Sequence, residues 1–150
     1  MKLRRLSKGE VTAEPFRVWN SFVDLLAVEQ YEDLSASQRP AHLVFWYESE
    51  VQDGGHLQYF ENRGTKHLTE TIEALGLLGA LCQQQILREA SDLYLNRYRI
   101  RIKSVEKFCE TALEEEFGSF DSRFYACSPK LTKCLENHLS RNQSYFVEVV

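Results

Sequence analysis

A chain of 150 residues with 43% hydrophobic residues is long and apolar enough to build one core, which excludes disorder for most of it. The net charge of −4 is mild, and no apolar run approaches the roughly 18 residues that a membrane-spanning helix needs. No apolar stretch follows the basic N-terminus as it would in a secretory signal. We therefore expect a single domain that has no membrane partner and resides in the cytoplasm.

The first predicted helix begins at Pro15, a residue well suited to the first helical position. One buried face of this helix is predicted from apolar residues three or four positions apart: Phe16, Trp19, Val23 and Leu26. The preceding residues 1–11 are basic, and we expect them to form a flexible segment.

The second predicted helix starts at a capping-box sequence, Ser35–Gln38, and continues to Val51. The run Leu43–Tyr47 makes it apolar on nearly every side, as expected of a helix in the middle of a bundle. Trp46 lies within this run, and we expect its side chain to be almost fully buried.

A turn at Asp53, Gly54 and Gly55 is predicted to end the second helix. Glycine adopts positive φ without steric cost, so we expect Gly54 or Gly55 to do so. A short helix, His56 to Asn62, would then fold back against the bundle.

Further helical patterns follow residue 65, and together they predict an all-α (mainly α) single-domain bundle of about six to seven helices over residues 1–150. Two segments differ from this pattern. Residues 97–102 alternate between arginine and apolar residues, and residues 145–150 are rich in β-forming residues. The two segments could pair as a minor two-stranded ribbon, which is only marginally stable when isolated.

The four cysteines are widely spaced and form no C-x-x-C pair: Cys82, Cys109, Cys127 and Cys134. Their even number is compatible with two disulfides. The sizeable core and the missing export signal instead favour reduced, mostly buried thiols.

The most distinctive segment of the chain, Glu50–Gly64, reads EVQDGGHLQYFENRG. It resembles the core motif of a bacterial family of DNA-mimic proteins, in which a helix passes through an Asn-Gly-Gly-like turn into a Gln-Phe-Phe-Asn-like helix closed by glycine. The turn carries Asp53 where the family usually has Asn. The likeness covers about residues 35–146 and is strongest in its first third. It implies an all-helical protein that forms homodimers and presents acidic side chains, in place of DNA phosphates, to a DNA-binding protein.

The charge is distributed unevenly along the chain. Residues 10–92 hold 14 acidic and 5 basic side chains, a net of −9, whereas residues 1–9 carry +4 and residues 93–150 carry +1. Such a field attracts a protein with a basic surface and repels nucleic acid, so we expect no direct nucleic-acid binding. The candidate partner-binding residues are Glu48, Glu50, Asp53, Glu61, Glu70 and Glu73. The alternative is a solvated bundle whose charges scatter over all faces.

No enzyme signature is present: the chain has no phosphate-binding glycine loop, no G-x-S-x-G and no H-E-x-x-H. Cys134 and His138 share a helix face, but no second pair completes a metal site. We therefore assign no catalytic residue, no metal and no cofactor, and favour a non-enzymatic interaction domain. The alternatives are an uncharacterised structural protein, or a small-molecule or catalytic site at the Asp-Gly-Gly turn with His56 and Tyr59 exposed beside it.

Overall fold

The computed structural model describes residues 1–98 and 117–150, and it confirms a single mainly α-helical domain. Within this part of the chain there are seven α-helices, in agreement with the expected six to seven. The elements follow in this order: β1 Arg4–Leu6, α1 Lys8–Ala13, α2 Phe16–Val28, a 3₁₀ helix Tyr31–Asp33, α3 Arg39–Arg63, α4 Leu68–Leu77, α5 Leu81–Tyr98, α6 over 117–126, α7 Leu131–Asn142, a 3₁₀ helix Gln143–Tyr145, and β2 Val147–Val149.

Helix α3 lies at the centre of the fold, in contact with α2, α4 and α7. Its buried residues include Val44, Tyr47 and Val51, which recur at helical spacing. The prediction that Trp46 would be almost fully buried is wrong, because this residue is only half-buried. Its indole N–H donates to the Leu26 carbonyl at 3.1 Å, so one edge of the ring is fixed at the helix surface.

The buried face of α2 is shifted from the predicted one. Phe22, Leu25 and Leu26 are buried, whereas Phe16 at the start of the helix is 58% exposed. Residues 22, 25 and 26 also have helical spacing, so periodicity alone does not decide which of two overlapping stripes faces the core.

The two chain ends form a small parallel ribbon, in which β1 pairs with β2 in the register Arg4 with Val147 and Leu6 with Val149. We expected residues 97–102 to pair with 145–150. This is wrong for Arg97 and Tyr98, which end helix α5, while residues 99–102 lie outside the described residues. The N-terminal segment that we expected to be flexible forms β1 and α1. The buried side-chain amide of Gln38 links the two chain ends, because it donates hydrogen bonds to the backbone carbonyls of Lys2 and Tyr145.

A disulfide joins Cys82, near the start of α5, to Cys127, just after α6, with the two Cα atoms 5.8 Å apart. The prediction of reduced thiols is wrong for this pair, because folding brings together two cysteines that are 45 residues apart. Cys134 is a free, buried thiol, and Cys109 lies outside the described residues. Disulfides are rare in the reducing cytosol, so residence in the cytoplasm stays a prediction.

None of the helices in residues 1–98 and 117–150 combines the length and the hydrophobicity that crossing a lipid bilayer requires.

Candidate interaction surface

The Asp-Gly-Gly turn is a kink inside α3. Gly55 has φ 79°, which confirms that one of the two glycines adopts positive φ, while Gly54 has φ −147°. A Cβ atom on Gly55 would lie 2.5 Å from Asp121 Oδ2. A Cβ atom on Gly54 would collide with the Gln58 side chain. The two glycines thus allow the backbone to turn and allow α6 to approach it.

A partly buried chain of polar groups fixes this kink to α6. Asp121 Oδ1 accepts from the backbone N–H of His56 at 2.9 Å and lies 2.6 Å from His56 Nδ1. The other ring nitrogen of His56 is 2.7 Å from the Tyr47 hydroxyl. Burial raises the pKa of Tyr47 well above its ordinary value, so this hydroxyl stays protonated.

His56 and Tyr59 are therefore not exposed beside the turn, as a site there would require. Their exposed fractions are 0% and 4%. A shallow cleft does lie outside the kink, and it is lined by Gly54, Gln58 and Asp121 among others. Of the polar side chains at or beside the turn, Asp53 is exposed, whereas His56 and Tyr59 are not.

Two of the six candidate acidic residues brace the kink. Glu50 is 9% exposed, and its Oε2 accepts from Asn62 at 2.8 Å and from Gln58 at 3.3 Å. The same Gln58 amide donates to Asp53 at 2.9 Å. Glu50 is thus largely withdrawn from solvent, while Asp53 is exposed but engaged within the chain.

Glu48 faces α7 instead of the solvent. It is half-buried, and the Thr132 hydroxyl donates to its carboxylate at 3.2 Å. Burial raises the pKa of Glu48, although this hydrogen bond opposes the shift. A carboxylate in this position contributes little to an acidic surface.

Glu61, Glu70 and Glu73 are exposed. Glu61 lies on the cleft outside the kink. Glu70 and Glu73 are three residues apart on α4, so they project from one face of it. They border a groove whose other wall includes Arg39, Pro40 and Leu43 of α3, and the exposed Leu77 also lines it. Among the described side chains, those of residues 1–96 and 117–150, no basic group lies within salt-bridge distance of Glu70 or Glu73.

Two further carboxylates that the sequence did not single out, Glu32 and Asp33, are exposed beside this groove. They belong to the 3₁₀ helix that also contributes Tyr31 to the groove wall. In the sequence, the adjacency of Glu32 and Asp33 is the feature that could have identified them. We call Glu32, Asp33, Glu70 and Glu73 the α4 acidic patch.

The described residues contain no group of three or more His, Cys, Asp or Glu side chains that could hold a metal ion. Cys134 is buried, and burial raises the pKa of its thiol, so it is a poor thiolate ligand. His138 does not complete a site with it. The absence of a cofactor remains a prediction.

The fold and this surface define a class of protein: a single mainly α-helical domain with a kinked central helix and exposed carboxylates. A family model described as DMP19-like protein matches residues 32–143, and the chain therefore belongs to that family. The comparison with curated proteins and the comparison with solved structures each gave no match.

Proposed function

We propose that this chain is a non-enzymatic interaction domain whose α4 acidic patch binds the basic surface of a DNA-binding protein and so competes with DNA. The observation that carries the proposal is the pair Glu70 and Glu73, two exposed carboxylates on one helix face without a basic partner among the described residues. The resemblance to DNA-mimic proteins points to the same role.

Charge geometry supports a partner of this kind. Phosphates repeat regularly along a DNA duplex, so a protein surface that replaces them needs several carboxylates on one side. Glu32 and Asp33 are exposed on the 3₁₀ helix whose Tyr31 lines the same groove, and Glu32 lies 3.9 Å from Lys66. Uncompensated negative charge accelerates encounter with a basic surface and repels nucleic acid.

The proposal differs from the site drawn from the sequence. Glu48 and Glu50 are engaged inside the molecule, so we assign them no contact with the partner. Asp53 and Glu61 lie at the kink and could extend the contact at its margin. We assign no catalytic site to the turn, because His56 and Tyr59 are buried beneath the cleft outside it.

A retention experiment tests the proposal. The immobilised chain is incubated with bacterial lysate at about 0.05 M salt and washed with increasing salt, which screens exposed charge pairs. We expect DNA-binding proteins to be retained and then released by about 0.5 M salt or by added duplex DNA.

The matched variants locate the contact. E70Q/E73Q should weaken retention at least about tenfold, whereas E136Q/E148Q makes the same change in net charge elsewhere and should leave retention intact. Equal retention by both variants would show that the α4 acidic patch is not the binding surface. The implied homodimer is a separate proposal, which sedimentation equilibrium of the purified chain tests.

A further inference from the structure

The groove beside Glu70 and Glu73 has an apolar surface as well as an acidic one. Its volume is about 460 Å³, and it lies between α4 and the start of α3. Its apolar lining is shared between these two sides and consists of Ala36, Pro40, Leu43, Ala74 and Leu77. Leu77 is 68% exposed, so the fold leaves a large aliphatic side chain uncovered at this groove. Covering it with another apolar group would be favourable.

One face of α4 supplies both the charge and an apolar contact of the groove. Four residues of α4 line the groove at positions i, i+3, i+4 and i+7, the spacing of a single helix face. These residues are Glu70, Glu73, Ala74 and Leu77. With a rise of about 1.5 Å per residue, Leu77 lies roughly 6 Å from Glu73 and roughly 10 Å from Glu70 along the helix axis. The face therefore presents one exposed aliphatic side chain with carboxylates one and two helical turns away.

The opposite wall of the groove carries a cation, Arg39. Its Nε donates to the Tyr31 carbonyl at 3.1 Å, and its guanidinium lies 4.5 Å above the Tyr31 ring. The positive charge is thus held on the α3 side, whereas Glu70 and Glu73 have no basic partner among the described side chains. The field across the groove directs the cations of a ligand towards α4 and away from α3.

The shape of the groove favours a helix as its occupant. The groove runs between two helices, and an amphipathic helix that lays its apolar face into such a groove is a common mode of recognition. A helix that lies along α4 has the same rise per residue as α4, so contacts recur on both helices at the same spacing. An aliphatic residue over Leu77 then places the residues four and seven positions away opposite Glu73 and Glu70.

We propose that the groove binds an amphipathic helix of the partner in which lysine or arginine occurs four and seven positions from an aliphatic residue. This inference rests on the proposed function and specifies the element of the DNA-binding protein that the α4 acidic patch recognises. Burial of the aliphatic residue supplies affinity that salt does not screen, and the carboxylates select a basic helix. A helix docked in this way has its cations covered and cannot contact DNA phosphates at the same time.

The test uses a synthetic helical peptide as the probe. The peptide has about 18 residues, mostly alanine and glutamine, with a central leucine and an arginine four and seven positions away on either side. Fluorescence anisotropy of the labelled peptide at about 0.05 M salt should show a dissociation constant of about 0.1 mM or tighter. Two control peptides should each bind about fivefold more weakly. One has serine in place of the leucine, and the other has its arginines two and five positions away, on the opposite face of the helix.

Two leucines of similar exposure provide matched variants of the chain. Leu77 lines the groove, whereas Leu81, at the start of α5, lies outside its lining, and their exposed fractions are 68% and 66%. L77S should bind the leucine peptide about fivefold more weakly and lose the preference for it over the serine peptide, whereas L81S should change neither. The loss in L77S should be the same at about 0.05 and 0.15 M salt. The loss in E70Q/E73Q should shrink as salt rises, because only charge pairs are screened.

Three results would overturn the proposal. One is the absence of saturation at about 1 mM wild-type chain. Another is equal affinity of L77S and L81S for the leucine peptide, with circular dichroism verifying that both are folded. The third is dissociation of a dimer by L77S in sedimentation equilibrium with unchanged peptide binding, because a second copy would then cover the groove. None of the three decides the proposed function, which stands or falls with partner retention by E70Q/E73Q.

Discussion

The carboxylates near α2 differ from those of α4 in what surrounds them. Arg4 lies 2.7 Å from Asp24 and 3.1 Å from Glu29, and Arg17 lies 3.1 Å from Glu14. In the described residues, the α4 carboxylates Glu70 and Glu73 have no such partners. Negative charge near α2 is therefore compensated within the fold, whereas at α4 it remains available.

This difference shows why charge counted along the sequence locates a binding surface poorly. Residues 10–92 carry −9 and residues 1–9 carry +4, yet the two segments are not separate in space. The N-terminal strand places Arg4 on α2 and cancels part of the excess. We infer that paired carboxylates stabilise this fold and that unpaired ones serve binding.

Removal of the Cys82–Cys127 disulfide should have the largest effect on the free energy of unfolding, and it tests whether stability and partner binding are separate. C82S/C127S opens a loop of 45 residues and should lower the free energy of unfolding by about 2–4 kcal/mol, because the unfolded chain regains entropy. Urea denaturation measures the loss. Partner retention should be unchanged at a temperature where the variant is folded, and a loss of retention there would tie the α4 acidic patch to this crosslink.

The pH dependence of stability should reveal His42, beside the same patch. Its pKa is 6.5 unfolded and about 4 folded, so the unfolded chain binds the proton first as pH falls. Stability is then lost between pH 6.5 and about 4, by up to about 3 kcal/mol. Burial is the main cause of the lowered pKa. A hydrogen bond with the Leu26 backbone and the charge of Glu32 favour protonation, whereas Arg63 and His67 oppose it. H42Q should flatten this part of the unfolding profile, and an unchanged slope would contradict the assignment.

The kink in α3 should be sensitive to a single methyl group. G55A should cost about 1–2 kcal/mol, because an L-residue at positive φ is strained, and it should also displace Asp121 from His56. The matched control is G9A in α1, where the nearest atom to the new Cβ is 3.9 Å away. It should be neutral or slightly stabilising. Equal melting temperatures for the two variants would mean that the kink relaxes freely.

Removing the Arg4 charge that compensates the carboxylates of α2 should lower the free energy of unfolding by a smaller amount. R4Q leaves Asp24 and Glu29 facing each other without a cation and should cost about 1 kcal/mol, since the arginine side chain is 23% exposed. The difference from wild type should shrink as salt rises. A cost independent of salt would indicate that Arg4 acts through packing instead of charge.

The smallest effect on stability is expected at α4. E70Q/E73Q removes two like charges from one helix face, so the free energy of unfolding should be unchanged or rise by up to about 0.5 kcal/mol. Thermal unfolding at low salt measures this change. A loss above about 1 kcal/mol would show that these carboxylates have structural partners after all.

Local features of the fold could be predicted from the sequence because their causes are local. The positive φ of Gly55 follows from two adjacent glycines between helices, and the positive φ of Gly64 at the end of α3 follows from one glycine after an amphipathic run. Helical periodicity likewise predicted a mainly α-helical domain. The apolar run Leu43–Tyr47 did not reveal which of its aromatic side chains would be fully buried. The structure shows that it is Tyr47, with 0% exposure, and not Trp46.

Features that depend on distant residues could not be predicted. Asp121 contacts His56 across 65 positions, and no pattern near either residue indicates the other. The candidate acidic residues were chosen by segment charge, which cannot tell the buried Glu50 from the exposed Glu70. The three-dimensional partners of each carboxylate decide its role, and those partners become known only with the fold.

The measurement that tests the central claim most directly compares R4Q with E70Q/E73Q for both unfolding free energy and partner retention. We expect a crossed result: R4Q loses about 1 kcal/mol of stability and retains the partner, whereas E70Q/E73Q keeps its stability and loses retention at least about tenfold. If both variants lose retention equally, or if E70Q/E73Q is the destabilised one, compensated and available carboxylates do not have the separate roles inferred from this structure.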